Sequence, residues 1–276
     1  GGRHGDDGLK IGRSGMEPIE TFVDHAVAKD KPFFLWYAPF LPHTPHNPPA
    51  RLLAKYRKDG RSMSIAKYYA MCDWFDETCG QLVGYLEKKK VRDDTLIVYV
   101  TDNGWIQNPA RNGYAPRSKQ TPYEGGVRTP IMFSWPNGGL KPADRPELVS
   151  SIDIVPTILS SAGSRIPDDL PGLDLLENLK KNSPIKRSGI FGESFAHDIA
   201  DVEKPEASLL FRWRIEGKWK LLLTYDGEVN RYQSTHPRTE KRPQLFDLSK
   251  DPHEKTNLAK KHPEIVADLA AKIAAW

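Results

Sequence analysis

The chain has 276 residues, enough to bury a sizeable core as one large domain or two small ones. Its 38% hydrophobic and 28% charged residues exclude a disordered or membrane-spanning protein, and no apolar run approaches the length of a membrane span. The 40 basic and 36 acidic residues are mixed along the whole chain and leave a net charge of +4, so no basic stripe points to nucleic acid and only a mild bias towards anions remains.

The opening GGRHGDDGLKIGRSG is rich in Gly, with no Met and no apolar signal core, and reads as the middle of a longer chain. From Met16 to Lys29, Ile19, Phe22, Val23 and Ala26 fall on one face, the spacing of an amphipathic helix. The apolar run at 32–39, PFFLWYAP, predicts a strand covered on both faces, and the proline-rich loop LPHTPHNPP follows it. A long helical pattern from Ser62 to Lys90 runs through Ile65, Tyr68, Tyr69, Cys72, Phe75, Cys79, Leu82, Val83 and Leu86, and closes on lysines that suit a helix carboxyl end. Cys72 and Cys79 would lie about 10 Å apart along that helix, beyond disulfide reach, and read as buried thiols.

TLIVYVT at 95–101 and PIMFSW at 130–135 predict two more strands, and Ser151–Ala162 a helix with Pro156 near its first turn. The alternation of strand and helix gives an α/β class with a largely parallel sheet. From about Pro184 the pattern changes to short strands, GIFGESF, LLFRWRI and KWKLLLTYD, with an amphipathic helix from Pro263 to Trp276. Residues 1–184 are therefore read as one α/β domain, and 185–276 as a smaller antiparallel sheet capped by the terminal helix.

Ligands collect beyond the carboxyl ends of strands in open α/β sheets. The strand at 95–101 opens onto Asp102 and Asn103, hard oxygen donors suited to Ca²⁺ or Mg²⁺, and the one at 32–38 onto His43 and His46. Lys119 precedes Thr121-Pro122-Tyr123-Glu124-Gly125-Gly126-Val127-Arg128, where the two glycines allow a tight turn. Each motif alone also fits a plain turn or a solvated charge.

Together and in this order, PFFLWYAPFLPHTPH, the long helix, TLIVYVTDNGW, SKQTPYEGGVRTP, SIDIVPTILSSAG and LFDLSKDPHEKTNLA resemble the sulfatase family of the alkaline phosphatase superfamily over nearly the whole chain. The resemblance implies helices sandwiching a largely parallel mixed sheet and a formylglycine-dependent, calcium-dependent hydrolase of sulfate esters, aryl or carbohydrate. Residue by residue, it implies that Asp102 and Asn103 ligate calcium, that Lys119 contacts the sulfate and the leaving oxygen, and that His43 donates to the ester oxygen, with His46 as the alternative. Tyr123 to Arg128 are taken as scaffold, and His197 in GESFAHD is a candidate substrate contact. Export from the cytoplasm is expected by the same analogy.

The Cys-or-Ser-x-Pro-x-Arg motif that carries the nucleophile in that family does not occur in this sequence. Asp6-Asp7 and Asp93-Asp94 sit in the wrong context to be the family's early calcium pair. The expectation is a half-built metal site, no turnover by this polypeptide alone, and poor solubility in isolation. The competing readings are a phosphate or phosphonate ester hydrolase of the same superfamily, and a non-catalytic module that binds sulfated glycans.

Overall fold

The helical period that begins at Met16 folds as α1 (Glu17–Ala28), with a proline in its first turn and Glu17 and Glu20 at its positive end. A computed structural model describes residues 10–57, 60–196, 201–225 and 240–276. The chain divides into two units, one of Gly1–Thr95, Gln107–Tyr114 and Trp135–Gly138, the other of Leu96–Ile106, Ala115–Ser134 and Gly139–Trp276.

The first unit is helical. α2 (Ala50–Tyr56) packs on the long α3 (Met63–Lys88), whose first turn is capped by Ser62 Oγ accepting the Ile65 amide at 3.4 Å. The buried stripe of α3 is Ala66, Ala70, Met71, Thr78 and Leu86, so mostly small side chains face the core, while the expected apolar Tyr69 is exposed. Cys72 and Cys79 are free thiols, as their spacing requires, but half-buried and not enclosed. Tyr85 of α3 donates to Asp24 Oδ1 of α1 at 2.5 Å, and Arg51 of α2 forks onto Glu77 of α3 at 2.5 and 2.6 Å.

The run at 32–38 is not a strand. Its side chains alternate, with Phe33, Leu35 and Tyr37 half-buried and Phe34 and Trp36 at 71% and 82% exposure, but it joins no ladder among the described residues. An extended apolar segment becomes a sheet strand only when a neighbour pairs with its amides and carbonyls.

In the second unit, β1 (Ile97–Val100) pairs with β2 (Ile131–Ser134) from Ile97 opposite Ser134 to Val100 opposite Ile131. This ladder is antiparallel, so the parallel pairing expected of the first α/β part is not what β1 makes with β2. A helical turn, α4 (Glu124–Val127), lies between them. The predicted helix at 151–162 is a 3-10 turn, Ser151–Asp153, followed by α5 (Ile154–Ser161). Asp153 is fully buried and ion-paired to Arg187 at 2.5 Å, and it also accepts the Ser150 and Leu173 amides at 2.8 Å. After α6 (Leu176–Lys181) come β3 (Ile190–Phe195), β4 (Leu209–Glu216), β5 (Trp219–Thr224) and β6 (Gln244–Asp247). They form an antiparallel meander in the order β3-β4-β5-β6; the short-strand pattern predicts an antiparallel sheet from the first three, and β6 is a strand that it does not predict.

Both faces of this meander are covered. Leu221 and Leu245 pack on Leu269 and Ile273 of α7 (Pro263–Ala275). Phe211, Trp213 and Ile215, alternate positions of β4, and Leu222, opposite Trp213 on β5, face Tyr123, Val127 and Leu148.

Candidate functional site

His43 sits in the proline-rich loop of the first unit, where the Leu41-Pro42 and Thr44-Pro45 peptides are cis. Its amide donates to Phe40 O at 2.6 Å, and its Nδ1 lies 3.0 Å from Thr44 O. A carbonyl only accepts, so in the neutral ring this contact puts the proton on Nδ1. Arg13 braces the loop from outside. Its Nη1 donates to Asn47 Oδ1 at 2.5 Å, its Nη2 to His43 O at 3.2 Å and Pro45 O at 3.4 Å, and its guanidinium lies over Trp74 at 5.4 Å. His46 packs its ring 5.7 Å from that of Tyr68. Burial lowers its pKa, reinforced by the charges of His43, Arg13 and Lys67, so it titrates below an ordinary histidine.

Asp102 and Asn103 occupy the turn that leaves β1 in the second unit. Asp102 is exposed, and its Oδ1 accepts the Asn103 amide at 3.0 Å. Asn103 Nδ2 donates to Gly104 O at 3.0 Å, which fixes which end of the amide carries the acceptor oxygen.

This turn is tied to the loop that carries Lys119. Gly104 N donates to Gly126 O at 2.8 Å, Ile106 N to Ser118 Oγ at 2.6 Å, and Ala115 N to Ile106 O at 2.7 Å. The approach is so close that a Cβ on Gly104 would run into Gly125 O, and one on Gly126 into Ser118 O and Thr121 O. Lys119 Nζ lies 5.7 Å from the Trp105 ring centre. Arg117 and Gln120, on either side of it, are held at φ of 56° and 64°. Left-handed backbone costs about 1–2 kcal/mol per non-glycine residue, so surrounding contacts must hold this loop in shape.

The structure thus gathers Lys119 and the Asp102–Asn103 pair into one loop cluster, whereas His43 belongs to the other unit. His197 and Asp6-Asp7 lie outside the described residues. In the first unit, Asp94 Oδ1 in one turn accepts Asn137 Nδ2 of another at 2.6 Å.

Sequence reasoning missed a buried charge cluster beneath the Lys119 loop. Lys220 of β5 is fully buried, with Nζ 2.8 Å from Pro122 O, 2.8 Å from Glu124 Oε1 and 2.9 Å from Glu254 Oε1. Glu254 Oε2 accepts the Glu124 amide at 2.5 Å, and Arg117 Nη1 donates to Glu254 O. Burial pushes the Glu254 carboxyl up, against the pull of Lys220. The available signal was a lysine at an inward position of the strand WKLLLT, in phase with Leu222, with glutamates in TPYEGG and DPHE to balance it.

The sulfatase family model matches residues 14–164, and the family described as N-sulphoglucosamine sulphohydrolase, C-terminal, matches residues 117–276. An N-acetylgalactosamine-6-O-sulfatase of Bacteroides thetaiotaomicron is 28% identical over 88% of this chain and 46% of its own length. Arylsulfatase K of Mus musculus is 31% identical over 75% of this chain and 34% of its own. The crystal structure of Ps i-CgsB superposes with a TM-score of 0.71 at 28% identity, over 94% of this chain and 53% of that one. The chain therefore spans about half, or less, of the length of these relatives.

Proposed function

The chain belongs to the sulfatase family, and on that premise we propose that it forms the part of a sulfuric ester hydrolase that holds the sulfate group and assists departure of the leaving oxygen. The observation that carries this reading is the joining of two loops. Lys119 stands 5.7 Å over Trp105, in a loop hydrogen-bonded at three points to the one bearing Asp102 and Asn103. An ammonium group in a loop tied to the one that bears these hard oxygen donors would suit an anion bridging to a divalent cation.

Asp102 and Asn103 fit one side of a calcium shell. Among the described residues no group of three or more His, Cys, Asp or Glu gathers as a metal cage, and calcium takes about six to eight oxygens, so further ligands would come from substrate, water and other polypeptide. When bound, calcium would supply positive charge against the sulfate oxygens, and a formylglycine from a segment outside this sequence would supply the attacking oxygen. Lys119, braced by its loop, would meet the sulfate and the leaving oxygen as negative charge grows there. His43 would act as the imidazolium, donating from Nε2 to the departing oxygen while Nδ1 stays on Thr44 O.

We assign sulfated carbohydrates or aryl sulfates as the substrate class, and a site of action outside the cytoplasm. This chain alone, without a Cys-or-Ser-x-Pro-x-Arg motif, should not turn over. The test is hydrolysis of a chromogenic aryl sulfate by a polypeptide that adds that motif ahead of Gly1. Lys119→Ala and His43→Ala should each lower kcat/KM by about 10²- to 10³-fold. Unchanged kcat/KM in either variant would remove that residue from the site.

A further inference from the structure

Between the exposed Arg117 and the buried Glu124 the chain carries Lys119, itself half-buried. Both ends of this span meet one residue. At the first end, Arg117 Nη1 donates to the main-chain carbonyl of Glu254. At the second, the carboxylate of Glu254 accepts the Glu124 amide at 2.5 Å. Glu254 is 1% exposed and held at φ 55°, with its own amide donating to Asp251 O at 3.0 Å. Lys220 binds the same carboxylate at 2.9 Å and reaches the loop itself at Pro122 O and Glu124 Oε1, both 2.8 Å.

We propose that Glu254 is a positioning residue for Lys119: its carbonyl and its carboxylate clamp the two ends of the 117–124 loop, and Lys220 locks that carboxylate in place. The functional meaning of the clamp rests on Lys119 being the sulfate contact, but the clamp itself is a statement about the loop. Its logic is charge balance in a dry site. A lysine with no exposed surface needs paired carboxylates, and Glu124 and Glu254 supply them from two segments far apart in the chain. Satisfying that lysine forces DPHE and TPYEGG to meet, and the loop between Arg117 and Glu124 is stretched across the meeting point. Within the span, Ser118 O accepts the Thr121 amide at 3.1 Å and Thr121 Oγ1 at 2.6 Å, which folds the loop around Lys119. The left-handed Arg117 and Gln120 are then kept in shape by contacts at both ends.

Hydrogen exchange of the intact chain, read by mass spectrometry, tests this together with the acylation rate of Lys119 by an amine-reactive ester. Glu254→Ala, which removes the carboxylate and leaves the main-chain carbonyl to Arg117, should raise exchange at the 121–124 end by about tenfold and Lys119 acylation by about threefold relative to the other lysines, with β3 to β6 protected as before. Arg117→Ala leaves the buried charges in place but removes the bond to Glu254 O and the 4.5 Å contact of the guanidinium with the Tyr123 ring, and should speed exchange by about tenfold at 117–121 and less at Tyr123. Glu254→Gln, which keeps one side-chain acceptor for the Glu124 amide but no longer offers Lys220 a carboxylate, should loosen the loop less than Glu254→Ala does.

Exchange that rises equally in loop and sheet would make Glu254 a general stability residue and overturn the proposal. So would a 117–121 segment unmoved by Arg117→Ala, a result that stands even if Glu254→Ala fails to fold. Neither readout involves sulfate, so failure of the hydrolysis test leaves the clamp standing, and failure of the clamp leaves the assignment of Lys119 to sulfate standing.

Discussion

Two stretches of the molecule carry the same kind of side chain and end differently. The runs at 32–38 and 209–215 are both dominated by large apolar and aromatic residues. The second is an inner strand of the meander, paired on both edges and covered on both faces, with Leu210 at 0% and Trp213 at 9% exposure. The first has no paired edge among the described residues and leaves Phe34 and Trp36 largely in solvent. Composition proposes a strand, but ladder partners decide it, because only they satisfy the backbone groups that burial would otherwise strand. The half of the molecule that folds around its own partners is thus the carboxyl-terminal one.

The sharpest way to break this contrast is to remove side chains from each stretch's surroundings. Phe246 is 1% exposed on the face of the sheet that carries Lys220. Phe246→Ala should cost about 3–5 kcal/mol in a denaturant titration, with an expanded or non-cooperative second unit. A loss below about 1 kcal/mol would mean that the sheet is not packed as described.

A smaller effect should appear on acidification. Arg145 holds the Glu147 carboxyl well below its usual value, at about 2. The pair also anchors the approach to β3, since Arg145 Nη2 donates to Ser183 O at 2.7 Å. A carboxylate whose pKa is lower in the folded state contributes stability that is fully present above its unfolded value of 4.5 and is lost as pH falls towards about 2. Between those pH values the native chain should lose stability more steeply than Glu147→Gln, and parallel acid-unfolding curves would remove the pair from the account.

The smallest effect belongs to the first stretch. Trp36→Ser should leave stability within about 0.5 kcal/mol of native, because so little of the indole is buried. A large loss of thermal stability would show that the run is packed after all.

The same contrast explains how much the sequence could tell. Helices were legible because their signal is local. The period from Met16 gave α1 nearly to the residue, and Ser62 and the lysines marked both ends of α3. The C-terminal meander was legible from its short strands and turns, whereas the run at 32–38 was read as a strand because its partners cannot be seen in its own residues. Asp102, Asn103 and Lys119 are singled out only by the order of several motifs, and no one motif would have sufficed. Lys220 was missed because a lysine in a strand reads as solvated. The carboxylates that neutralise it lie in Glu124 and Glu254, and only the fold brings them together. Tyr123 to Arg128 were read as scaffold, and Glu124 now has the specific task of pairing with Lys220.

Under the proposed function, the Asp102–Asn103 turn and the Lys119 loop would act on one bound anion. A double-mutant cycle on aryl sulfate hydrolysis, in the polypeptide that includes the nucleophile motif, tests it most directly. Asp102→Ala and Lys119→Ala should each cut kcat/KM, and the double variant should be within about threefold of the worse single one, because groups that serve one site are not additive. Losses that simply multiply would mean that the two loops serve separate purposes.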